Sequence, residues 1–177
     1  TTEHHSFPTR RSSDLMVSVT AQDFGLVDCV LDCGPAGTSA GSVSESRRAA
    51  SQWQPVQSSS PTAGRIGWVN TAVVGDADAL RCESAPASLQ FQNVVQVGGG
   101  RLIHLPAVLA PRPIPITLKH VTLLGSRGIV SLAVDHRERP PAVPMTIERS
   151  LFAPAAAGGL IELRGPATPA DLDEALL

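Results

Sequence analysis

Leu89-Gln90-Phe91-Gln92-Asn93-Val94-Val95-Gln96-Val97 is the stretch whose reading decides the fold. Leu89 and Phe91 are large and apolar with polar residues between them, which is the two-residue period of a strand. Asn93 interrupts that period. Behind it the apolar parity shifts by one, to Val94, with Gln96 an exception at the next position. Three further segments align with this one without gaps. They are Ile66-Gly67-Trp68-Val69-Asn70-Thr71-Ala72-Val73-Val74, Ile116-Thr117-Leu118-Lys119-His120-Val121-Thr122-Leu123-Leu124 and Met145-Thr146-Ile147-Glu148-Arg149-Ser150-Leu151-Phe152-Ala153. A fifth, Phe24-Gly25-Leu26-Val27-Asp28-Cys29-Val30-Leu31-Asp32, fits less well. The four aligned segments start 23, 27 and 29 residues apart.

The residue at the parity shift is polar every time: Asp28, Asn70, Asn93, His120 and Arg149. The pattern predicts two short strands meeting at a one-residue corner. Asn and Asp tolerate the left-handed backbone that such a corner needs. A second strand signal follows at fixed distance. Leu80/Cys82, Ile103/Leu105 and Val130/Leu132 lie 14 and 16 residues after Ile66, Leu89 and Ile116. In the last repeat Ile161/Leu163 come at 16 and 18, so two extra residues sit within 155–159. Gly75, Gly98–Gly100, Gly125 and Gly128 mark the turn in between.

Three strands per repeat, with one turn of constant length and one of variable length, form a parallel solenoid pattern. Each repeat buries its apolar face only by stacking on its neighbours. The register resembles the right-handed parallel β-helix family, the pectate-lyase-like group, over residues 24–165. The resemblance implies an all-β solenoid of about five rungs. It also implies an asparagine ladder at the corner between the second and third strands. Asp28, Asn70 and Asn93 match that ladder, and His120 and Arg149 depart from it.

Composition narrows the function classes. Net charge is −2, so no global basic field attracts nucleic acid. No apolar run approaches the length of about 18 residues needed to span a bilayer. Aromatics are 3% of the chain with no Tyr, which leaves little for a stacking groove. Apolar residues make up 42%, enough for a core.

Three regions fall outside the repeat. Residues 1–15 carry His4-His5 and Arg10-Arg11. However, Ser6–Leu15 matches the in-frame translation of a sequencing-library adapter, and the segment is expected to be non-native. The β-helix is then expected over 16–165, as part of a larger protein. Residues 34–64 are rich in Ser, Gly, Ala and Pro and read as a long, poorly ordered insertion. Residues 166–177 open like a helix, with Thr168 as N-cap and Pro169 as first helical residue, and are expected to be either a short cap or a truncated C-terminus.

Strand alternation sets out the candidate chemistry. With Leu80, Ile103, Val130 and Ile161 inward, Arg81, His104, Ser131 and Glu162 form an outward column. This is the one mixed catalytic grouping in the chain. A Ser-His pair also needs an oriented base and an oxyanion hole. The family's own signatures are grouped Asp residues with a metal, a basic residue or paired acids, and none is matched. The ordinary explanation is a solvated strand face. Leu102, Ile129 and Leu160 are also expected outward, as an exposed apolar stripe and binding surface. Asp76 and Asp78 supply too few oxygens for calcium. Asp135–Arg139 reads as a self-paired loop tip. Cys29 and Cys33, four apart on a strand, are about 13 Å apart, too far for a disulfide. Together with Cys82 they read as small buried hydrophobes.

The expected function is a non-catalytic scaffold or recognition module of a larger bacterial protein, facing polysaccharide or another domain. No cofactor, metal, nucleic acid or membrane span is expected. The alternative is a truncated or degenerate polysaccharide lyase or glycoside hydrolase. No residue pattern fixes a compartment; the resemblance is compatible with an extracytoplasmic one.

Overall fold

Ile66, Trp68, Leu89, Phe91, Ile116 and Leu118 are all essentially closed to solvent, and their every-second-residue spacing makes the segments that carry them strands. A computed structural model describes residues 15–34, 49–55, 64–106, 113–134, 141–156 and 158–165. In chain order the elements are β1 (Leu15–Thr20), β2 (Phe24–Val27), β3 (Val30–Asp32), β4 (Ala49–Gln54), β5 (Arg65–Val74), β6 (Asp78–Cys82) and β7 (Ser88–Val97). They continue as β8 (Arg101–Leu105), β9 (Ile116–Lys119), β10 (Thr122–Ser126), β11 (Gly128–Ala133), β12 (Met145–Glu148), β13 (Leu151–Pro154) and β14 (Ile161–Arg164). The architecture is all-β. Among the described residues there is no helix.

The strands form two sheets, and all their pairings are parallel. One sheet has the order β1-β4-β6-β8-β11-β14, and the other holds β2, β3, β5, β7, β9, β10, β12 and β13. The chain passes repeatedly from one sheet to the other. Leu80 pairs with Ile103, Ile103 with Val130 and Val130 with Ile161, so like residues stack between repeats. The inward residues of both sheets meet in one apolar cluster. Within it Trp68 and Phe91 pack edge to face, with centroids 5.3 Å apart, a contact worth about 1 kcal/mol beyond its buried area.

Asp28, Asn70, Asn93, His120 and Arg149 all take positive φ, between 48° and 54°. A left-handed residue turns the chain while leaving it extended on either side. It moves burial from one parity (Leu89, Phe91) to the other (Val94, Gln96). Three of the corners are stitched together. Asn70 Nδ2 donates to Asp28 Oδ1 and Asn93 Nδ2 to Asn70 Oδ1, each at 2.8 Å. The separate short strands expected at every corner occur at Asp28, His120 and Arg149. At Asn70 and Asn93 the hydrogen bonding runs through the corner, so β5 and β7 are single ten-residue strands.

Residues 34–64 are not simply an insertion. Ala49–Gln54 is β4, an interior strand between β1 and β6, with Trp53 fully buried. Its inward Ser51 takes the place that Leu80 and Ile103 hold elsewhere, and its hydroxyl donates to the Ala79 carbonyl at 2.9 Å. Trp53 Nε1 donates to the Ala21 carbonyl at 3.0 Å. Leu15, placed in the non-native segment, opens β1 and pairs with Ala49. The rest of 1–15, the other parts of the insertion, Asp135–Arg139 and the helix expected at 166–177 lie outside the described residues.

The apolar stripe is a correction. Leu102 and Ile129 are completely buried, and only Leu160 is exposed, at 50%. Strict alternation fails where the chain enters this sheet. In β6 and β8 the first three residues are all buried before alternation resumes. The Leu160 carbonyl accepts from both Ile129 N–H, at 2.9 Å, and Val130 N–H, at 3.2 Å. Two residues opposite one is the geometry of a bulge, and it brings successive side chains to the same side. Ile129 and Val130 therefore both join the core cluster, and Leu102 and Ile103 on the neighbouring β8 join it too.

Candidate functional site

The outer face of the six-stranded sheet carries the expected column. Arg81 pairs in register with His104, His104 with Ser131 and Ser131 with Glu162. Parallel pairing puts these positions about 4.8 Å apart. Gln52 of β4 extends the column beside Arg81.

The column is less solvated than an ordinary strand face. Ser131 is completely buried, and Arg81, His104 and Glu162 are partly buried. Beside the column lies a residue the sequence reading passed over. Arg101, first in β8, is 4% exposed, and its Nη2 forms an ion pair with Glu162 Oε2 two strands away. Its register partner on the intervening strand is Gly128, which has no side chain to obstruct that reach. The same Glu162 oxygen accepts from Arg164 Nε at 2.9 Å. Arg81 pairs with Glu83 at 2.9 Å. A charged residue opening the apolar strand Arg101-Leu102-Ile103-His104-Leu105 was the available signal, because buried Arg is rare without a partner.

Burial holds His104 below its ordinary imidazole range, and the nearby Arg81 and Arg164 charges add to this. Asp78 and Glu83 pull the other way. His104 is therefore neutral at pH 7. Its Nδ1 and the Ser131 hydroxyl are both buried without a hydrogen-bond partner, so the two do not bond to each other. A serine activated by histidine needs that bond.

The other candidates resolve as structure. Asp76 Oδ1 accepts from Gly99 N–H at 3.0 Å and Asp78 Oδ1 from Arg101 N–H at 2.8 Å. Each ties its turn to the same turn one repeat later. Gln96, the exception to the apolar pattern, is fully buried and donates Nε2 to the Arg101 carbonyl at 3.3 Å. All three cysteines are free thiols. Burial pushes Cys33 up to about 11 and Cys82 higher still. Both are protonated and unreactive at neutral pH. Among the described residues no group of three His, Cys, Asp or Glu could hold a metal ion. No described helix is long and apolar enough to cross a membrane.

A different apolar surface is present. On the outer face of the eight-stranded sheet Val74 pairs with Val97 and Val97 with Leu124. The three are 38–42% exposed. No family model, curated protein or solved structure matches this chain.

Proposed function

We propose that the chain is a parallel β-helix acting as a non-catalytic scaffold or recognition module, with polysaccharide or a partner domain as its ligand. Two features support the β-helix. The repeats alternate between two parallel sheets, and a left-handed corner recurs in five of them. One observation carries the non-catalytic reading: Glu162, the only acid in the outward column, is committed to both Arg101 and Arg164. The Glu162 oxygen that a substrate would meet is already occupied by both guanidiniums. The adjacent His104 and Ser131 share no bond that would make either a nucleophile.

The test is to incubate the protein with pectic and other uronate polymers and assay new unsaturated or reducing ends, alongside a glycan-binding screen. Binding without turnover is expected. Turnover that disappears in both His104→Ala and Glu162→Ala overturns the reading in favour of a degenerate lyase or hydrolase.

A further inference from the structure

We propose that the aliphatic outer face of the eight-stranded sheet is a self-association surface, on which two copies of this chain pack face to face about a two-fold axis running along β7. This goes beyond the recognition role above and stands whether or not that role holds.

Six of the nine large hydrophobic side chains exposed among the described residues lie on this one face. Val30, Val95 and Leu151 share one row across the strands, and Val74, Val97 and Leu124 share the next. Only Ala72 and Thr122 come between members of the first row. Adjacent strands are about 4.8 Å apart and the two rows about 6.6 Å apart, so the six form one field. They are 37–72% exposed. A contiguous aliphatic field of this kind marks an interaction surface.

Charge identifies the occupant and its orientation. The eight-stranded sheet and its turns comprise five repeats. The first two carry Asp23, Asp28, Asp32 and Asp76 against Arg65 alone. The third, β7 and the glycine turn after it, carries no charged residue. The last two carry Lys119, Arg127 and Arg149 against Glu148 alone, with His120 beside them. Arg65 pairs with Asp23 and Lys119 with Glu148, which leaves the first end of the face acidic and the last end basic. Asp28 and Arg149 flank the field, each two residues before an end aliphatic, Val30 or Leu151. Both are exposed, and among the described residues no ion pair engages either of them. Asp28 Oδ1 accepts from the Asn70 amide, which leaves the carboxylate its charge.

A two-fold axis along β7 reverses the order of the repeats and keeps the direction of the strands. It lays the first repeat of one copy over the fifth of the other. Asp28 then meets the partner's Arg149, and by symmetry Arg149 meets the partner's Asp28. Val74 faces the partner's Leu124, and Val97 faces its own counterpart. The other two-fold axis in the plane of the sheet runs across the strands and sets acid on acid and base on base. The charge pattern therefore selects the axis along β7. The field and its flanks are smaller than the ~20–30 residues a side of a standard interface. The dimer is accordingly weak, and dilute protein keeps this face open.

The test is sedimentation equilibrium of the full chain over a wide range of concentration, with far-UV circular dichroism to show that each variant is folded. Wild type is expected to dimerise at high concentration, and added salt to weaken the dimer. Val97→Lys sets two like charges against each other at the axis. It and the single reversals Asp28→Lys and Arg149→Glu are each expected to weaken the dimer about tenfold or more. An equimolar mixture of Asp28→Lys with Arg149→Glu brings opposite charges together at both ends of the mixed dimer. It is expected to associate about as tightly as wild type, which also shows that both variants keep the fold. The proposal is overturned if wild type stays monomeric throughout, since the face is then left to a partner domain or a glycan. It is equally overturned if Val97→Lys associates like wild type, since the contact then lies elsewhere, as at the edge strands β1 and β14. A mixture that associates no better than its two components alone overturns it as well.

Discussion

The outer faces of the two sheets invert the usual relation between polarity and exposure. On the six-stranded sheet Arg101 and Ser131 are buried and His104 is partly buried, beside one ion pair that crosses from β8 to β14 and another within β14. On the eight-stranded sheet Val74, Val97 and Leu124 stack in register and still face water. Residue type alone does not decide which face closes. On one face a long cation reaches a carboxylate two strands away and is itself closed to solvent. A column of short aliphatics covers only its own flanks. Polar groups on the closed face then depend on each other for partners, whereas the aliphatics depend on nothing.

The comparison can be broken in four places. The largest effect is expected at Leu102→Ala, which empties a fully buried site at the entry of β8 and should cost about 3 kcal/mol in urea unfolding. A loss below about 1 kcal/mol would mean that Leu102 faces outward after all. Next, Glu162→Ala strands the buried Arg101 guanidinium. Breaking a buried pair costs about 3–5 kcal/mol, and the partial exposure of Glu162 should reduce this to about 2 kcal/mol. Glu162→Gln, which keeps an acceptor, should recover part of the loss. If the two variants are equally stable, the closed face is not held by this charge.

The third test is pH. His104 titrates below its ordinary value of 6.5 in the folded chain. The unfolded chain therefore takes up the proton first as pH falls. Stability is complete above about pH 6.5 and declines as pH drops through the folded value. His104→Gln should flatten that decline, and a slope identical to wild type would show that His104 is not closed in. The smallest effect is expected at Leu124→Ser on the open face, within about 0.5 kcal/mol of wild type. A cost approaching that of Leu102→Ala would mean this face is covered as well.

The corners and the stacking register were legible in the sequence because each rests on local periodicity. A polar residue where apolar parity shifts marks a left-handed turn, and fixed 14- and 16-residue offsets mark the strand that follows. β4 was not legible. Its inward Ser51 hides the alternation, and the Ala79 carbonyl that satisfies that hydroxyl lies 28 residues along the chain. The bulge was hidden for a related reason. Alternation predicts where a side chain points only while one residue opposes one residue, and the Leu160 carbonyl receives two. The column Arg81, His104, Ser131 and Glu162 followed from parity. Arg101 did not, because its partner Glu162 is 61 positions away in the sequence.

The one-residue corner has a consequence for how such a chain tolerates change in length. Each corner is a single left-handed residue, and an added residue there would reverse the facing of every side chain in the following strand. The segments 55–64, 83–87, 106–115 and 134–144, which lead away from the six-stranded sheet, already range from five to eleven residues. They leave from the same edge, because the strands they follow are parallel neighbours. Foreign peptides grafted into these four segments would be displayed side by side at one strand spacing, on a frame whose register does not count their residues.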